Sequence, residues 1–532
     1  MISPTSPASQ LIVPSGVRLS LCMIVRDSSR TLVAALSSIR PYVDEMIVVD
    51  TGSLDDTPEI ARRLGAQVFH FPWCDDFSAA RNESLNRAAG DWLFWMDSDD
   101  TIDAANGRKL RELADRPLAS NPLAYVMQVH CPGTQDDGQL DVTVVDHVKM
   151  FRNLLGLRFE GRIHEQVLPA IRRLGGDIGW TDIFVTHSGS DQSPQGRQRK
   201  QQRDLRLIEL ELQDKPDHPF GLFNLGMTYN DMGWYEQAVA ALRRCLQVST
   251  TAESHVRKAY ALLACSLTQL ERWEEAAETC RAGLLHFASD PELHFRAGLV
   301  AHRLGQLENA VSEYRQVFAA RSERHFSSLD RGIIGYKARH NLAVVYGDMG
   351  RHDLAELQWR LAISDVPEYK AAWRGLGESL FKQQRFTTAE VEIERLQGVE
   401  PLRSEAQRLH CELAYAKGDI LSAAREFAEA AKSLPGDLDL LRARCQFLFS
   451  HGEPETAEQA LLDLCERTPD DGGAHHNLGT LYLKMGRIND AVACYRRSLA
   501  VRPNYQLTMQ HLECARAQLN KLSNTPLRNS CV

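Results

Sequence analysis

The residues best suited to chemistry are three carboxylates within four positions, Asp97, Asp99 and Asp100, directly after an apolar run that ends at Met96. Ionised carboxylates this close repel one another unless a proton or a cation lies between them. Oxygen ligands at this density suit Mg²⁺ or Mn²⁺, ions that join protein carboxylates to a diphosphate. The alternative is a solvated acidic turn that binds nothing. A single acid at another predicted strand end, Asp50, either binds a ligand or caps the following helix.

The elements that must position these acids form an alternating series of strands and helices. Near-continuous apolar runs predict buried strands, and segments of helical character separate them. The predicted strands are residues 17–26, Glu45–Asp50, 67–71 and 92–96, and the predicted helices are Leu32–Ile39, one that begins at Pro58, and 77–89. This alternation favours an open parallel sheet. Ligands of such sheets bind at the carboxyl ends of the strands, where the acids lie.

Most of the second half of the chain repeats with a period of 34 residues. Prolines recur at this spacing, and an alanine stands twelve residues before each of them. The prolines are Pro367, Pro401, Pro435, Pro469 and Pro503, and the alanines are Ala355, Ala389, Ala423, Ala457 and Ala491. Small residues let two antiparallel helices approach closely, and proline ends the second helix. Such hairpins bury their apolar faces only by stacking, which gives a curved superhelix.

The last unit resembles the tetratricopeptide repeat, with Gly479, Tyr482, Gly486, Ala491 and Pro503 in the order of that motif. The resemblance implies about eight units over residues 216–510, with an insertion near 321–335. Arrays of this kind bind a peptide or a protein, or associate with a second copy. The simpler alternative is that the array only supports its neighbour.

Three further segments resemble the family 2 glycosyltransferases. They are Val49-Asp50-Thr51-Gly52-Ser53, Phe77-Ser78-Ala79-Ala80-Arg81-Asn82 and Trp95-Met96-Asp97-Ser98-Asp99-Asp100. Their order, over about residues 18–190, is similar to a bacterial branch in which a tetratricopeptide array follows the transferase. The resemblance implies an α/β N-terminal domain of the GT-A (Rossmann-like) fold followed by an all-α tetratricopeptide solenoid. It also implies an enzyme that moves a sugar from a nucleotide-sugar donor, with inversion and with Mg²⁺ or Mn²⁺ as cofactor.

The resemblance assigns roles at the donor site residue by residue. Asp50 matches the acid that contacts the nucleotide base, Asp97 matches the acid near the ribose and the metal, and Asp99 matches the metal ligand on the diphosphate. Arg81 lies in the segment beside the donor, where its guanidinium could pair with a phosphate. The weaker candidates for donor contact are Asn82, Arg26 and Asp55. For Asp55, a helix cap is an equal alternative.

The acceptor side and the catalytic base are expected in the second half of this domain. Alternation over residues 141–151 predicts a strand, and a Gly-x-Ile-His-Glu segment follows it. The same segment in the bacterial branch singles out Glu165 as the base that deprotonates the acceptor. His164 is a metal ligand, an acceptor contact or the base itself. His187, at the end of a predicted strand over 183–187, either completes the metal shell or is a surface histidine.

The predicted domain boundaries follow from these segments. Residues 1–16 form a frayed leader, 17–190 the transferase domain, 191–215 a linker with a connecting helix, 216–510 the array and 511–532 a tail. Polar turn formers at 188–200 predict a flexible segment over the active site, or else a solvated linker, which leads into a helix at 201–213.

Composition limits the classes of function. The 532 residues carry a net charge of -9, so no cationic surplus points to nucleic acid as a partner. No apolar run of about 18 residues predicts a membrane span, and the first residues lack the pattern of a secretory signal. We therefore expect a soluble, cytoplasmic protein.

Three other functions stay open at this point. A degenerate transferase domain could act as an adaptor that binds proteins through its repeats. A nucleotidyltransferase also uses paired carboxylates and a metal, but residues 19–30 lack the Gly-rich, Lys-bearing loop that it would need. A pure scaffold is disfavoured because residues 18–190 do not repeat. The acceptor of a transferase would be a saccharide, a lipid-linked glycan or a protein.

Overall fold

The computed structural model describes residues 18–118, 122–134, 140–189, 193–319 and 329–523. These residues belong to two compact units, one that ends at Val345 and one that begins at Tyr346. The predicted leader, the start of the predicted linker, much of the predicted insertion and the end of the predicted tail lie outside the described residues. No described helix combines the length and the apolar character that crossing a bilayer requires.

The first unit is built on a mixed sheet. Its strands are β1 (Leu19–Val25), β2 (Glu45–Asp50), β3 (Gln67–His70), β4 (Trp92–Trp95), β5 (Asp100–Thr101), β6 (Ala124–Thr134), β7 (Leu140–Arg152), β8 (Ile178–His187) and β9 (Leu329–Asp330). The order across the sheet is β3-β2-β1-β4-β7-β6-β8-β5, and β9 pairs with β7.

The first four strands pair in parallel, but the sheet is not parallel throughout. β7 pairs antiparallel with both β4 and β6, and β5 pairs antiparallel with β8. The four strands from which an open parallel sheet was expected are therefore parallel, and the later strands extend them into a mixed sheet. β6 and β7 follow each other closely in the chain, and parallel neighbours would need a crossover of about a dozen residues or more.

Helices cover both faces of this sheet. They are α1 (Leu32–Ile39), α2 (Thr57–Arg63), α3 (Phe77–Arg87), α4 (Ala104–Asp115) and α5 (Leu168–Arg173). Alternate side chains of a strand point to opposite faces. Met23 of β1 therefore packs with Leu36 of α1 in one buried cluster, whereas Cys22 packs with Leu85 of α3 in another. Burial on both faces explains why β1 reads as a near-continuous apolar run.

Residues 194–200 form the first turns of a long helix, α6 (Pro194–Asp214). The prediction of a flexible segment there was therefore wrong. The Ser193 hydroxyl accepts a hydrogen bond from the Gly196 amide at 3.0 Å, and Pro194 stands in the first turn, where its missing N–H is not needed. The polar composition concealed these start signals. Near the other end of α6, Asp214 pairs with Arg162 of the sheet domain at 2.8 Å.

Paired helices follow α6 in the first unit. They are α7 (Pro219–Asp231), α8 (Tyr235–Val248), α9 (Val256–Gln269), α10 (Trp273–His286), α11 (Pro291–Arg303) and α12 (Leu307–Ala319), and most of α13 (Tyr336–Asp348) belongs here too. Close packing explains the small residues of the repeat. A Cβ added at Gly226 of α7 would lie 2.5 Å from Leu242 Cγ of α8, and Ala238 is fully buried.

The insertion predicted near 321–335 contributes strand β9. Within the described residues, Leu329 and Asp330 pair antiparallel with Val144 and Thr143 of β7. A segment between two repeats therefore extends the sheet of the N-terminal domain, which the interrupted alanine spacing did not indicate.

The second unit consists of further paired helices. They are α14 (His352–Asp365), α15 (Lys370–Lys382), α16 (Phe386–Gln397), α17 (Arg403–Ala416), α18 (Ile420–Ser433), α19 (Leu438–His451), α20 (Pro454–Arg467), α21 (Gly472–Lys484), α22 (Ile488–Val501) and α23 (Gln506–Ser523). In chain order, the described helices α7 to α22 make eight successive pairs. Gly479 of α21 packs directly against the buried ring of Tyr495 of α22, as the repeat pattern requires.

Candidate active site

The acidic cluster lies at the carboxyl end of β4, in the interior of the sheet order. A tight turn follows the strand, in which the Asp100 amide donates to the Asp97 carbonyl at 3.1 Å. The turn gives the three carboxylates different surroundings. The exposed fraction of the side chain is 36% for Asp97, 11% for Asp99 and 1% for Asp100.

One ligand atom each from Asp97, Asp100 and His187 lies within 4.8 Å of the other two, which is close enough to hold one metal ion. His187 reaches the cluster because β8 pairs with β5 and sets His187 opposite Asp100. Its Nδ1 lies 2.9 Å from Asp100 Oδ1 and 3.5 Å from Asp99 Oδ1. Asp99, predicted as a metal ligand, thus lies beside this group, and Asp100, which had no assigned role, belongs to it. The acidic run itself was the one sequence signal for Asp100.

The pKa values of the three acids shift in different directions because their partners differ. Burial favours the neutral form of each, but the Lys149 ammonium holds the pKa of Asp100 far below its ordinary value. Burial is likewise the largest single effect on Asp97, but Arg81 and Lys149 together lower its pKa. Asp99 is the exception, because burial raises its pKa and the two neighbouring carboxylates add to the rise. Its negative charge is therefore the one in this cluster that lacks sufficient compensation.

The donor set fits a divalent cation. Four carboxylates surround the site, against two buried cations and one histidine. They are Asp97, Asp99, Asp100 and Glu165, against Arg81, Lys149 and His187. With the histidine neutral, the excess is two negative charges, which one Mg²⁺ or Mn²⁺ would balance. Carboxylate oxygens suit these ions, and an imidazole nitrogen is an acceptable further ligand.

Arg81 of α3 connects the acidic cluster to the predicted base. Its Nη2 lies 2.6 Å from Asp97 Oδ1, and its Nε donates to Glu165 Oε1. The guanidinium carbon stacks 4.3 Å from the centroid of the Trp95 ring, and the side chain is 7% exposed. A planar fork that binds two carboxylates at once is a geometry that lysine does not offer. Arg81 therefore fixes Glu165 relative to Asp97, although 84 residues separate Arg81 from Glu165.

The segment that carries His164 and Glu165 is anchored at its start, where Phe159 contacts Asn82. The Asn82 amide donates to the Phe159 carbonyl at 3.0 Å and accepts from the Phe159 amide at 2.9 Å. Both the nitrogen and the oxygen of the Asn82 side-chain amide are thus hydrogen-bonded to Phe159. His164 has a φ of 53°, a conformation that costs energy for a residue with a side chain. Burial lowers the pKa of His164, which favours the neutral imidazole that can accept or donate a proton.

The loops after β1 and β2 lie at the same carboxyl edge of the sheet as the acidic cluster. Asp50 is buried and accepts backbone hydrogen bonds from Gly52 and Ser53, both at 3.2 Å. Burial opposes the ionisation of Asp55, but hydrogen bonds to it lower its pKa to about 2. One of these bonds comes from the amide of Thr57, the first residue of α2, although Asp56 occupies the N-cap position. Arg26 is exposed directly after β1.

A cavity of about 570 Å³ lies beside the segment that carries Glu165. Gly161 and Gln166 of the sheet domain line one wall, and Lys215, His218 and Phe220 near the first repeat line the other. Its volume falls in the range of small-molecule sites. The cavity therefore adjoins the segment that carries Glu165.

Comparison with known proteins identifies both parts of the chain. Residues 20–139 match the family described as glycosyl transferase family 2. Residues 221–251, 261–323, 340–396, 411–472 and 473–505 match tetratricopeptide repeats. A family 2 glycosyltransferase domain is thus followed by tetratricopeptide repeats, and the fold class expected from the sequence is confirmed.

Two relatives resemble the chain over about 220 residues. A TPR repeat-containing protein of Synechococcus elongatus is 36% identical over 39% of this chain and 51% of its own length. The SPbeta prophage-derived glycosyltransferase SunS of Bacillus subtilis is 26% identical over 42% of this chain and 52% of its own length. The chain therefore spans about half the length of these relatives. A solved tetratricopeptide repeat protein from Parabacteroides merdae is 16% identical, with a TM-score of 0.34 over 49% of this chain and 98% of that one.

Proposed function

We propose that this chain, with its family 2 glycosyltransferase domain and its repeats, moves a sugar from a nucleotide-sugar donor to an acceptor nucleophile, with inversion at the anomeric carbon. The meeting of Asp97, Asp100 and His187 at one edge of the sheet, with Asp99 beside them, supports this proposal most. Ligands of α/β sheets bind at the carboxyl ends of the strands, where this group lies. We take the transferase domain as residues 17–190 and the array as residues 216–510.

The donor is proposed to lie along the ends of β1, β2 and β4. Asp50 faces the base, Asp97 faces the ribose, and Asp97, Asp99 and His187 hold Mg²⁺ or Mn²⁺ at the diphosphate. When bound, the ion neutralises the charge that develops on the departing diphosphate. Arg81 holds Asp97 in place through Nη2. Its Nη1 is buried and has no hydrogen-bond partner among the described residues, so this nitrogen is the one that pairs with a donor phosphate.

The acceptor is proposed to be deprotonated by Glu165. Oε1 of Glu165 is engaged by Arg81, so Oε2 is the oxygen that takes the acceptor proton. As the acceptor forms its bond to the anomeric carbon, the bond from that carbon to the diphosphate oxygen breaks on the opposite face, which inverts the centre. His164, next in the chain, contacts the acceptor.

The repeats are proposed to recruit the acceptor or a protein partner, or to associate with a second copy. The 570 Å³ cavity supports recruitment, because residues near the first repeat line it together with the segment that carries the base. Part of a long acceptor held there would lie next to Glu165. Saccharide, lipid-linked and protein acceptors all satisfy this geometry.

A panel of nucleotide sugars, each with Mg²⁺ or Mn²⁺, tests the proposal through release of the free nucleoside diphosphate. Asp99→Asn should abolish metal-dependent release, whereas Asp115→Asn, at an exposed ion pair on α4, should retain it. Full release by Asp99→Asn would refute the metal role. If the unaltered protein neither releases nucleotide nor binds any donor with Mn²⁺, the chain is an adaptor.

A further inference from the structure

We propose that Asp100 does not bind the cation but is a positioning residue, clamped by Lys149, that orients His187 for the cation. The proposal rests on the proposed function, and it gives a role to Asp100, the one member of the acidic cluster that the proposed function leaves without one. It also gives a role to Lys149, a fully buried lysine that no step above uses.

Both oxygens of the Asp100 carboxylate are already engaged by the protein. Oδ2 accepts from Lys149 Nζ at 2.8 Å and from the Asp97 amide at 3.1 Å. Oδ1 lies 2.9 Å from His187 Nδ1. The side chain is 1% exposed, whereas those of Asp97 and Asp99 are more open. A cation bound at Asp100 would have to displace a hydrogen bond or the ammonium from a site that water does not reach.

Lys149 is held where it cannot release Asp100. Its side chain is 1% exposed, and Nζ lies 3.7 Å from the centroid of the Trp95 ring. An ammonium over the face of a tryptophan is attracted by the ring, most strongly when desolvated. The ring is itself fixed, because Trp95 Nε1 donates to the Val148 carbonyl at 2.7 Å. The Lys149 charge thus offsets the charge of Asp100 permanently and leaves the cation to the other acids.

The consequence falls on His187. A carboxylate at Nδ1 selects the tautomer with the proton on Nδ1, and Nε2 then carries the lone pair that binds a metal. The backbone supports the same orientation, since Asp100 and His187 are opposite each other in the β5–β8 ladder. Asp97, Asp99 and His187 Nε2 are therefore the ligand set, with Asp100 behind the histidine.

Four variants test this assignment by Mn²⁺ titration, with calorimetry and the Mn²⁺ electron-spin resonance signal as readouts that do not depend on activity. Asp100→Asn leaves the Lys149 ammonium unbalanced, and Lys149→Met leaves the Asp100 carboxylate unbalanced. Asp100→Asn should weaken Mn²⁺ binding by about 10–100-fold, as substitutions behind a metal ligand usually do. Lys149→Met removes a positive charge that repels the cation, so it should not weaken Mn²⁺ binding. The double variant is charge-balanced, and its asparagine oxygen still accepts from His187 Nδ1. It should bind Mn²⁺ within about threefold of the unaltered protein.

Lys109→Met is the matched control, because Lys109 forms an exposed ion pair with Asp182 away from the cluster. It should leave Mn²⁺ affinity unchanged. If the double variant binds Mn²⁺ no better than Asp100→Asn, Asp100 is a direct ligand and the proposal is overturned. If the single variants do not fold, the double variant is compared with the unaltered protein instead. A folded double variant that has lost Mn²⁺ affinity also overturns the proposal.

A second measurement needs neither metal nor substitution of the cluster. Nitrogen-15 spectra of histidine-labelled protein at pH 8.5, with the His187 signal assigned through His187→Gln, should show the neutral ring protonated at Nδ1. A ring protonated at Nε2 would overturn the proposal. If the unaltered protein does not bind Mn²⁺, the metal role in the proposed function is overturned instead. The tautomer of His187 would then still show whether Asp100 orients the ring.

Discussion

Replacement of Arg81 by methionine should separate its electrostatic role from its packing role. Methionine keeps an unbranched chain against Trp95 but removes the charge shared by Asp97 and Glu165. Breaking a buried ion pair from one side costs about 3–5 kcal/mol. The Glu165 side chain is 10% exposed and is left without its counter-ion, whereas Asp97 is 36% exposed and partly regains water. We therefore expect a loss near the lower limit, about 3 kcal/mol of unfolding free energy.

Urea unfolding at pH 7, followed by circular dichroism, measures this loss. Arg62→Met is the control, because Arg62 makes only an exposed pair with Glu59, which is worth about 1 kcal/mol or less. Adding Glu165→Gln to Arg81→Met should restore more than half of the loss, since an uncharged amide tolerates the site better than an unpaired carboxylate. A packing role would not be rescued in this way.

The pH dependence provides an independent check. Arg81 lowers the folded-state pKa of Asp97, so this stabilisation is present above the unfolded pKa of about 3.9 and is lost as the pH falls through the folded pKa. The difference between Arg81→Met and the unaltered protein should therefore shrink below about pH 4. A loss under about 1 kcal/mol at pH 7, or no rescue by glutamine, would show the electrostatic reasoning to be wrong.

Three further predictions concern single residues. Burial raises the pKa of Asp99, so ionisation of this carboxyl group destabilises the folded state as the pH rises. Asp99→Asn should therefore raise the melting temperature at pH 7 without metal, and it should abolish the further increase that Mn²⁺ gives the unaltered protein. An unchanged Mn²⁺ effect would contradict this prediction. The hydrogen bond that His187 donates to Asp100 raises the pKa of His187, so its stabilisation is complete below about pH 6.5 and is lost as the pH rises through the folded pKa. His187→Gln should flatten the stability profile in that window, and an unaltered slope would argue against the pair. In the second unit, Gly479→Ala would set a Cβ 2.9 Å from the Tyr495 ring and should cost about 1–3 kcal/mol in thermal unfolding, whereas Gly347→Ala meets no atom within 4 Å and should not destabilise.

Local pattern predicted the parts of the fold that depend on neighbours in the chain. Strand β2 and helix α1 have the predicted bounds, because an apolar run of strand length and a short amphipathic segment are complete local signals. The repeats could also be predicted from the sequence, because each helix pair needs its own small residues for close approach. Helix α6 was missed at its first turns, where the Ser193 cap lies in a polar stretch typical of loops.

The sequence by itself determined that acids gather at the end of β4, that a Gly-x-Ile-His-Glu segment follows a later strand, and that repeats fill the rest. Only the tertiary structure decided which charges meet. The register that sets Met150 opposite Phe94 carries Lys149 to Asp100, 49 residues away in the chain. Strand β9, which lies between two repeats in the chain, likewise joins the sheet through strand pairing with a distant segment, β7. Spacing along a chain determines which residues share a strand or a helix face, but contacts between distant segments depend on sheet register and helix packing, which many residues set together.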